Sequence, residues 1–186
     1  MFYGTESSYI EFPNNGNLDT QFSITLMCWV QPGGEDGPLF SYGYLSSAVS
    51  IKIELGKFLN QIVVEQSPET SAGSTTRTTE LLPAGEWVHV AASYDHNNGN
   101  NSLYINGHLK AFRKSVTGSR IDTAYQRVHM GAKDYSDEYF KGKIAEMKVY
   151  NVALNEAQIQ TSIRQGSCTF FRNRFLITLS DDSFNQ

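Results

Sequence analysis

Residues 85–112, GEWVHVAASYDHNNGNNSLYINGHLKAF, leave the chain few architectures. Trp87–Tyr94 reads as one strand, Ser102–Ile105 as a second and His108–Phe112 as a third. Asn106-Gly107 separates the last two and is a two-residue hairpin signal, because both turn residues need φ > 0 and Asn and Gly tolerate it. Asp95–Asn101, a polar loop without an apolar residue, joins the first two. Three antiparallel strands in so short a segment predict an all-β meander.

The rest of the chain follows the same period. Ser8–Phe12 alternates and stops at the turn cluster Pro13-Asn14-Asn15-Gly16. Phe22, Ile24, Leu26, Cys28 and Val30 fall at period two, with Ser23, Thr25, Met27 and Trp29 on the opposite face, where alanine at Ser23 or Thr25 is expected to cost far less if that face is the more open one. That phase makes Cys28 a small buried hydrophobe. Leu39–Tyr42 is strand-like, as are Ile51–Leu55 and the run carrying Ile62 and Val64. Residues 67–79 are small and polar, a long exposed loop or an edge strand. Gln126–Gly131 is a strand, 132–139 a loop, and Phe140–Tyr150 a strand in which Ile144 is out of phase with Met147 and Val149. A β-bulge near Ala145-Glu146 would restore the phase. Asn155 is expected to cap a short helix, with Gln158 completing a capping box, Ile159 and Ile163 on one face and Gly166 at its end. Residues 167–180, rich in Phe, Ile and Leu, read as a last strand closing a sheet.

The 186 residues fit a single domain, 1–186, large enough to bury a core without staples. A net charge of −4 argues against nucleic acid or an anionic membrane as partner. No apolar run is long enough for a transmembrane helix. Met1–Gly4 enters a strand pattern at once, so no signal peptide is read. That start suits an excised domain with an initiator Met, or an intracellular protein. Two cysteines, Cys28 and Cys168, allow one bridge or none. The apolar phase of Cys28 favours none.

Three motifs carry a family resemblance. Gly4 with Ser8–Phe12 and Phe22–Val30, then Gly85–Ala91 followed by Leu103–Gly107, then Phe140–Asn155, together resemble laminin-G-like and pentraxin-like domains of the concanavalin A-like group over roughly residues 4–163. The resemblance implies a two-sheet antiparallel β-sandwich, a jelly roll, with one short helix near the C-terminus. Members of the group bind glycans, proteins or lipids, and some distant relatives are glycosidases. Pentraxins pair a cysteine matching Cys28 with one in the strand after the Trp-x-His motif, where this chain has Ala91 and Ala92. They hold calcium with an Asp-Asn pair where this chain reads Tyr44–Val49. Many laminin-G-like domains carry an Asp where Ala145 stands. The family disulfide and pentraxin-type calcium-dependent phosphocholine binding are therefore not expected.

The chemistry-bearing residues point to binding. Glycoside hydrolysis needs two carboxylates about 5–9 Å apart, and the Glu-x-Asp-x-x-Glu string of this group's glycosidases does not occur. Glu54 and Glu65 stand alone in their strands, and no His neighbours a Ser or Cys in a nucleophile-elbow setting. Asp134, Asp137 and Glu138 could begin a calcium site, weak or absent, against the plainer reading of a solvated acidic loop. Tyr135 and Tyr139 flank that cluster, and Tyr42 and Tyr44 end a neighbouring strand. Tyr beside carboxylates suits a sugar or peptide contact, because the ring stacks and the acid accepts hydroxyl bonds. The alternative is that some of these rings cover the core edge. Asn100-Asn101-Ser102 is an N-glycosylation acceptor triplet at Asn100.

These features predict a non-catalytic extracellular or cell-surface binding module of a larger secreted or membrane protein. Its expected ligand contacts are Asp134, Tyr135, Asp137, Tyr139, Tyr42 and Tyr44, its partner a glycan or an extracellular protein. It requires no cofactor, and any Ca2+ is held weakly. A structural or adhesion module without a small ligand is the second reading, a degenerate glycosidase the third.

Overall fold

The computed structural model describes residues 1–13, 15–34, 37–42, 52–55, 62–66, 74–115, 117–118, 120–121, 123, 127–132 and 138–165, with side chains left out of account at 52–55, 62–66 and 74–75. Tyr44, Asp134, Tyr135, Asp137, Gly166, Cys168 and the expected strand at 167–180 lie outside the described residues.

The strands, in chain order, are β1 (Phe2–Tyr3), β2 (Ile10–Phe12), β3 (Ile24–Pro32), β4 (Gly37–Tyr42), β5 (Lys52–Leu55), β6 (Ile62–Gln66), β7 (Ser74–Arg77), β8 (Val88–Asp95), β9 (Asn100–Ile105), β10 (His108–Lys114), β11 (Val128–Met130) and β12 (Lys141–Tyr150). Among the described residues there is one helix, α1, spanning Glu156–Arg164. The first sheet has the order β1-β12-β3-β8-β9-β10 and the second β2-β11-β4-β5-β6-β7. Every pairing is antiparallel. The expected β-sandwich with one short helix is the observed architecture.

Alternation puts the core between the sheets. Ile24, Leu26, Cys28 and Val30 of β3 meet Val88, Val90, Ala92 and Tyr94 of β8 there, facing Leu39, Phe40 and Val128 of the second sheet. Each Val, Leu, Ile or Phe side chain fully buried there contributes about 1.5–3 kcal/mol. Cys28 is a free, fully buried thiol whose pKa burial pushes up to about 12, so it behaves as a hydrophobe. The hairpin turn is as read: Asn106 and Gly107 have φ 50° and 80°. Asn106 Oδ1 also accepts from the His89 N–H at 3.0 Å. Residues 74–77 resolve the loop-or-edge alternative as the edge strand β7.

The bulge predicted at Ala145-Glu146 is present. Register with β3 shifts between Ala145 and Lys148, and Glu146 takes φ 50°. The extra residue lets Ile144 pack against the same core as Met147 and Val149. The capping box is also present: Gln158 N–H donates to Asn155 Oδ1 at 3.0 Å and Asn155 N–H to Gln158 Oε1 at 2.9 Å.

One expectation about β3 is corrected. Thr25 and Met27 are both fully buried. The outer face of the first sheet carries a second core, in which Met27, Ala91, Tyr104, Tyr150 and Leu154 pack under Ile159 of α1. Thr25 Oγ1 donates to the Val152 carbonyl at 2.7 Å and accepts from the Leu154 N–H at 2.9 Å, anchoring the segment that leads into the helix. β3 is thus buried on both faces, and α1 is the lid. The strand begins at Ile24, two residues later than read, and Phe22 is half exposed under the Arg120 guanidinium at 5.5 Å.

Candidate functional site

α1 covers part of the outer face of the first sheet, and the outer face of the second sheet has no such helix over it among the described residues. There β11 pairs with β2 and β4, so that His129 stands opposite Glu11 on one side and Ser41 on the other. Val128, Phe40 and Met130 turn into the core. Period two therefore sends Glu11, His129 and Ser41 to the outer face. Ser41 Oγ donates to the Ala132 carbonyl at 3.0 Å. An isolated bridge joins Ala132 to Tyr139, and Phe140 N–H donates to the Gly131 carbonyl at 2.9 Å. The bridge brings Tyr139 beside the end of β11.

The result is a strip of four side chains from three chain segments. Tyr9, just ahead of β2, lies edge-on to the His129 ring with centroids 5.4 Å apart at 77°. Its other neighbour is the Tyr139 ring, 6.4 Å away at a tilt of 35°. His129 Nε2 is 3.4 Å from Glu11 Oε2. His129 is buried and its Nδ1 has no hydrogen-bond partner, whereas Glu11 and Tyr9 are exposed and Tyr139 is half-buried. The imidazole is the floor of the strip, wedged between a carboxylate and a phenol ring. Such a strip offers apolar ring faces beside a hydrogen-bond acceptor, which is what a polyhydroxylated ligand requires.

Of the sequence-predicted contacts, Tyr139 belongs to this strip. Tyr42 is corrected: it is fully buried, its hydroxyl donates to the Leu18 carbonyl at 3.0 Å, and its ring packs edge-on against Phe40. Burial, reinforced by the Asp19 carboxylate, raises its pKa and holds it protonated. All of β4 is buried, so the end of that strand gives no rim. Glu138 is exposed. Among the described residues no three His, Cys, Asp or Glu side chains gather to hold a metal ion. Asn100 is half-buried at the start of β9. Tyr9, Glu11 and His129 are not among the residues that the sequence singles out. Tyr9 and Glu11 share a phase in the Ser8–Phe12 run, but nothing local says that this run pairs with a strand 118 positions later.

No helix among the described residues is long and apolar enough to cross a membrane. No curated protein matches the chain in sequence. Among solved structures, domain 4 of AbnA, an extracellular GH43 arabinanase from Geobacillus stearothermophilus determined with arabinotriose, superposes with a TM-score of 0.69 at 24% identity, covering 86% of this chain and 73% of that one. A heptameric SAP-like pentraxin from Limulus polyphemus gives a TM-score of 0.59 at 20% identity over 89% and 84% of the two chains. The binding domain of botulinum neurotoxin serotype G gives 0.69 at 15% identity over 89% of this chain and 42% of that one. These likenesses concern the fold. In sequence, residues 4–160 match the profile of one family, and the chain belongs to that family, the concanavalin A-like lectin/glucanases superfamily.

Proposed function

We propose that this domain is a non-catalytic binding module of a larger secreted or membrane protein, acting outside the cell or at its surface. It takes a glycan or a protein surface on the outer face of the second sheet. The observation that carries the reading is the Tyr139–Tyr9–His129–Glu11 strip, two aromatic rings and a carboxylate over a buried imidazole. Asp134, Tyr135 and Asp137 lie in sequence between Ala132 and Tyr139, and are proposed as further contacts. Hydrolysis calls for a pair of carboxylates about 5–9 Å apart, and the Glu-x-Asp-x-x-Glu string that carries them in this group's glycosidases does not occur in the sequence. This supports binding without cleavage.

Calcium has at most a weak place in this function. Asp134, Asp137 and Glu138 supply too few oxygens for the six to eight of a tight site, which places any affinity at about 10⁻⁴–10⁻³ M, and the module requires no cofactor.

The test is a glycan array followed by calorimetry on the hits. Arabinotriose is one probe, since it accompanies the arabinanase domain of the same fold. Tyr9→Ala should weaken binding about tenfold, the scale of one lost aromatic contact, with circular dichroism unchanged. An array without hits would leave the adhesion reading. Unchanged affinity in a Tyr9→Ala, Tyr139→Ala double variant would move the site elsewhere, and arabinose released from arabinan would refute the non-catalytic claim.

A further inference from the structure

Asn100-Asn101-Ser102 is the only Asn-x-Ser/Thr triplet in the chain. Its three side chains divide between the faces of β9. Asn101 is buried, 2% exposed, and its amide donates to Ser115 Oγ at 3.2 Å. Leu103 two residues on lies in the inter-sheet core. Alternation then turns Asn100 and Ser102 to the outer face of the first sheet, the face on which Tyr104 meets α1. Both are partly exposed. The helix covers Tyr104 and stops short of them. The acceptor amide and the hydroxyl two residues later are therefore presented together on an open sheet surface.

The same surface carries an apolar ring outside both cores. Phe112 of β10 is 63% exposed. It pairs with Ser102, while Lys114 pairs with Asn100, so Phe112 is the diagonal neighbour of Asn100 on the outer face. Diagonal cross-strand neighbours lie about 7–8 Å apart, within reach of a large side chain. The backbone around the acceptor is already held: Asn100 N–H donates to Asn98 Oδ1 at 2.8 Å, and Asn98 Nδ2 to Asp95 Oδ2 at 2.6 Å. A sugar on Asn100 would displace neither of these bonds.

We infer that Asn100 is an N-glycosylation site and that the first sugar of the attached glycan packs on the Phe112 ring. This rests on the extracellular placement proposed above. In the reaction, Asn100 Nδ2 bonds to C1 of the reducing-end N-acetylglucosamine of a lipid-diphosphate-linked oligosaccharide. The C1–oxygen bond to the diphosphate breaks, the lipid diphosphate leaves with that electron pair, and one amide proton passes to base. The glycan would project from the sheet opposite to the Tyr9–Tyr139 strip and leave that strip open.

The test is secretion of the full chain from a eukaryotic cell line behind an added signal sequence, with intact mass read before and after enzymatic removal of N-glycans. The expected result is one glycan, with Asn100 converted to Asp on removal, and no glycan on Asn100→Gln or on Ser102→Ala. Glycosylated protein should melt higher than its enzymatically deglycosylated form, and Phe112→Ala should keep the glycan and lose that difference. Secreted, folded protein with an unmodified Asn100 would overturn the site. A melting difference that survives Phe112→Ala would overturn the packing. Ligand binding by the glycan-free Asn100→Gln variant reports on the second-sheet strip separately, so the two readings fail independently.

Discussion

His89 ties the stability of the domain to pH on the acid side of neutrality. It sits on the outer face of the first sheet, opposite Trp29 in β3, whose ring meets the imidazole edge-on at 5.3 Å and 81°. The residue is 3% exposed and its Nδ1 has no hydrogen-bond partner. Burial, and then the positive charge of Lys148, lower its pKa from 6.5 to about 4. The sign follows from linkage. Between these values the unfolded chain binds a proton that the folded one refuses, so stability rises with pH. The contribution is fully present above pH 6.5 and is lost as pH falls toward 4. A shift of this size corresponds to about 3 kcal/mol, a large share of what holds a domain of this kind folded. Urea midpoints measured from about pH 7.5 to 4 should fall across that window. A His89→Gln variant should flatten the fall, whatever its stability at neutral pH. A wild-type midpoint that stays level from about pH 7 to 4.5, or an unchanged fall in the variant, would refute the reasoning.

The other expectations concern packing, backbone and binding. Ile24→Ala or Leu26→Ala should cost about 2–5 kcal/mol by chemical denaturation, and Thr25→Val should cost about 1–3 kcal/mol because it strands the Leu154 N–H and the Val152 carbonyl. A neutral Thr25→Val would mean the α1 lid is not anchored there. Gly142→Ala should prevent soluble expression or lower the melting temperature sharply, since φ is 145° and a Cβ would run into the Gln31 carbonyl oxygen; a wild-type melting curve would show that β1, β3 and β12 can part to admit a methyl. Asn155→Ala should cost about 1 kcal/mol through loss of the capping box, read as the same shift in unfolding free energy. Glu11→Gln should weaken binding of any array hit while leaving the fold intact, and unchanged calorimetry would remove the carboxylate from the contact set.

What the sequence shows and what it hides divide along the range of the interaction. The Asn106-Gly107 turn, the Asn155 cap and the bulge at Glu146 are decided within a few residues, and each is legible in its own segment. The burial of Thr25 and Tyr42 is not. A Thr in phase with Met27 looks solvent-facing until α1, far along the chain, closes over it, and a Tyr at a strand end looks like a rim until β4 proves covered on both sides. The candidate site has the same origin. Tyr9 and His129 are unexceptional in their own segments and join Tyr139 in a strip only because β2 pairs with β11 and the Ala132–Tyr139 bridge brings Tyr139 to the end of β11. An antiparallel sandwich builds such surfaces from strands distant in sequence. Its local signals therefore report the fold long before they report the site. That places the most informative mutations at Tyr9 and Glu11, residues that the core does not need.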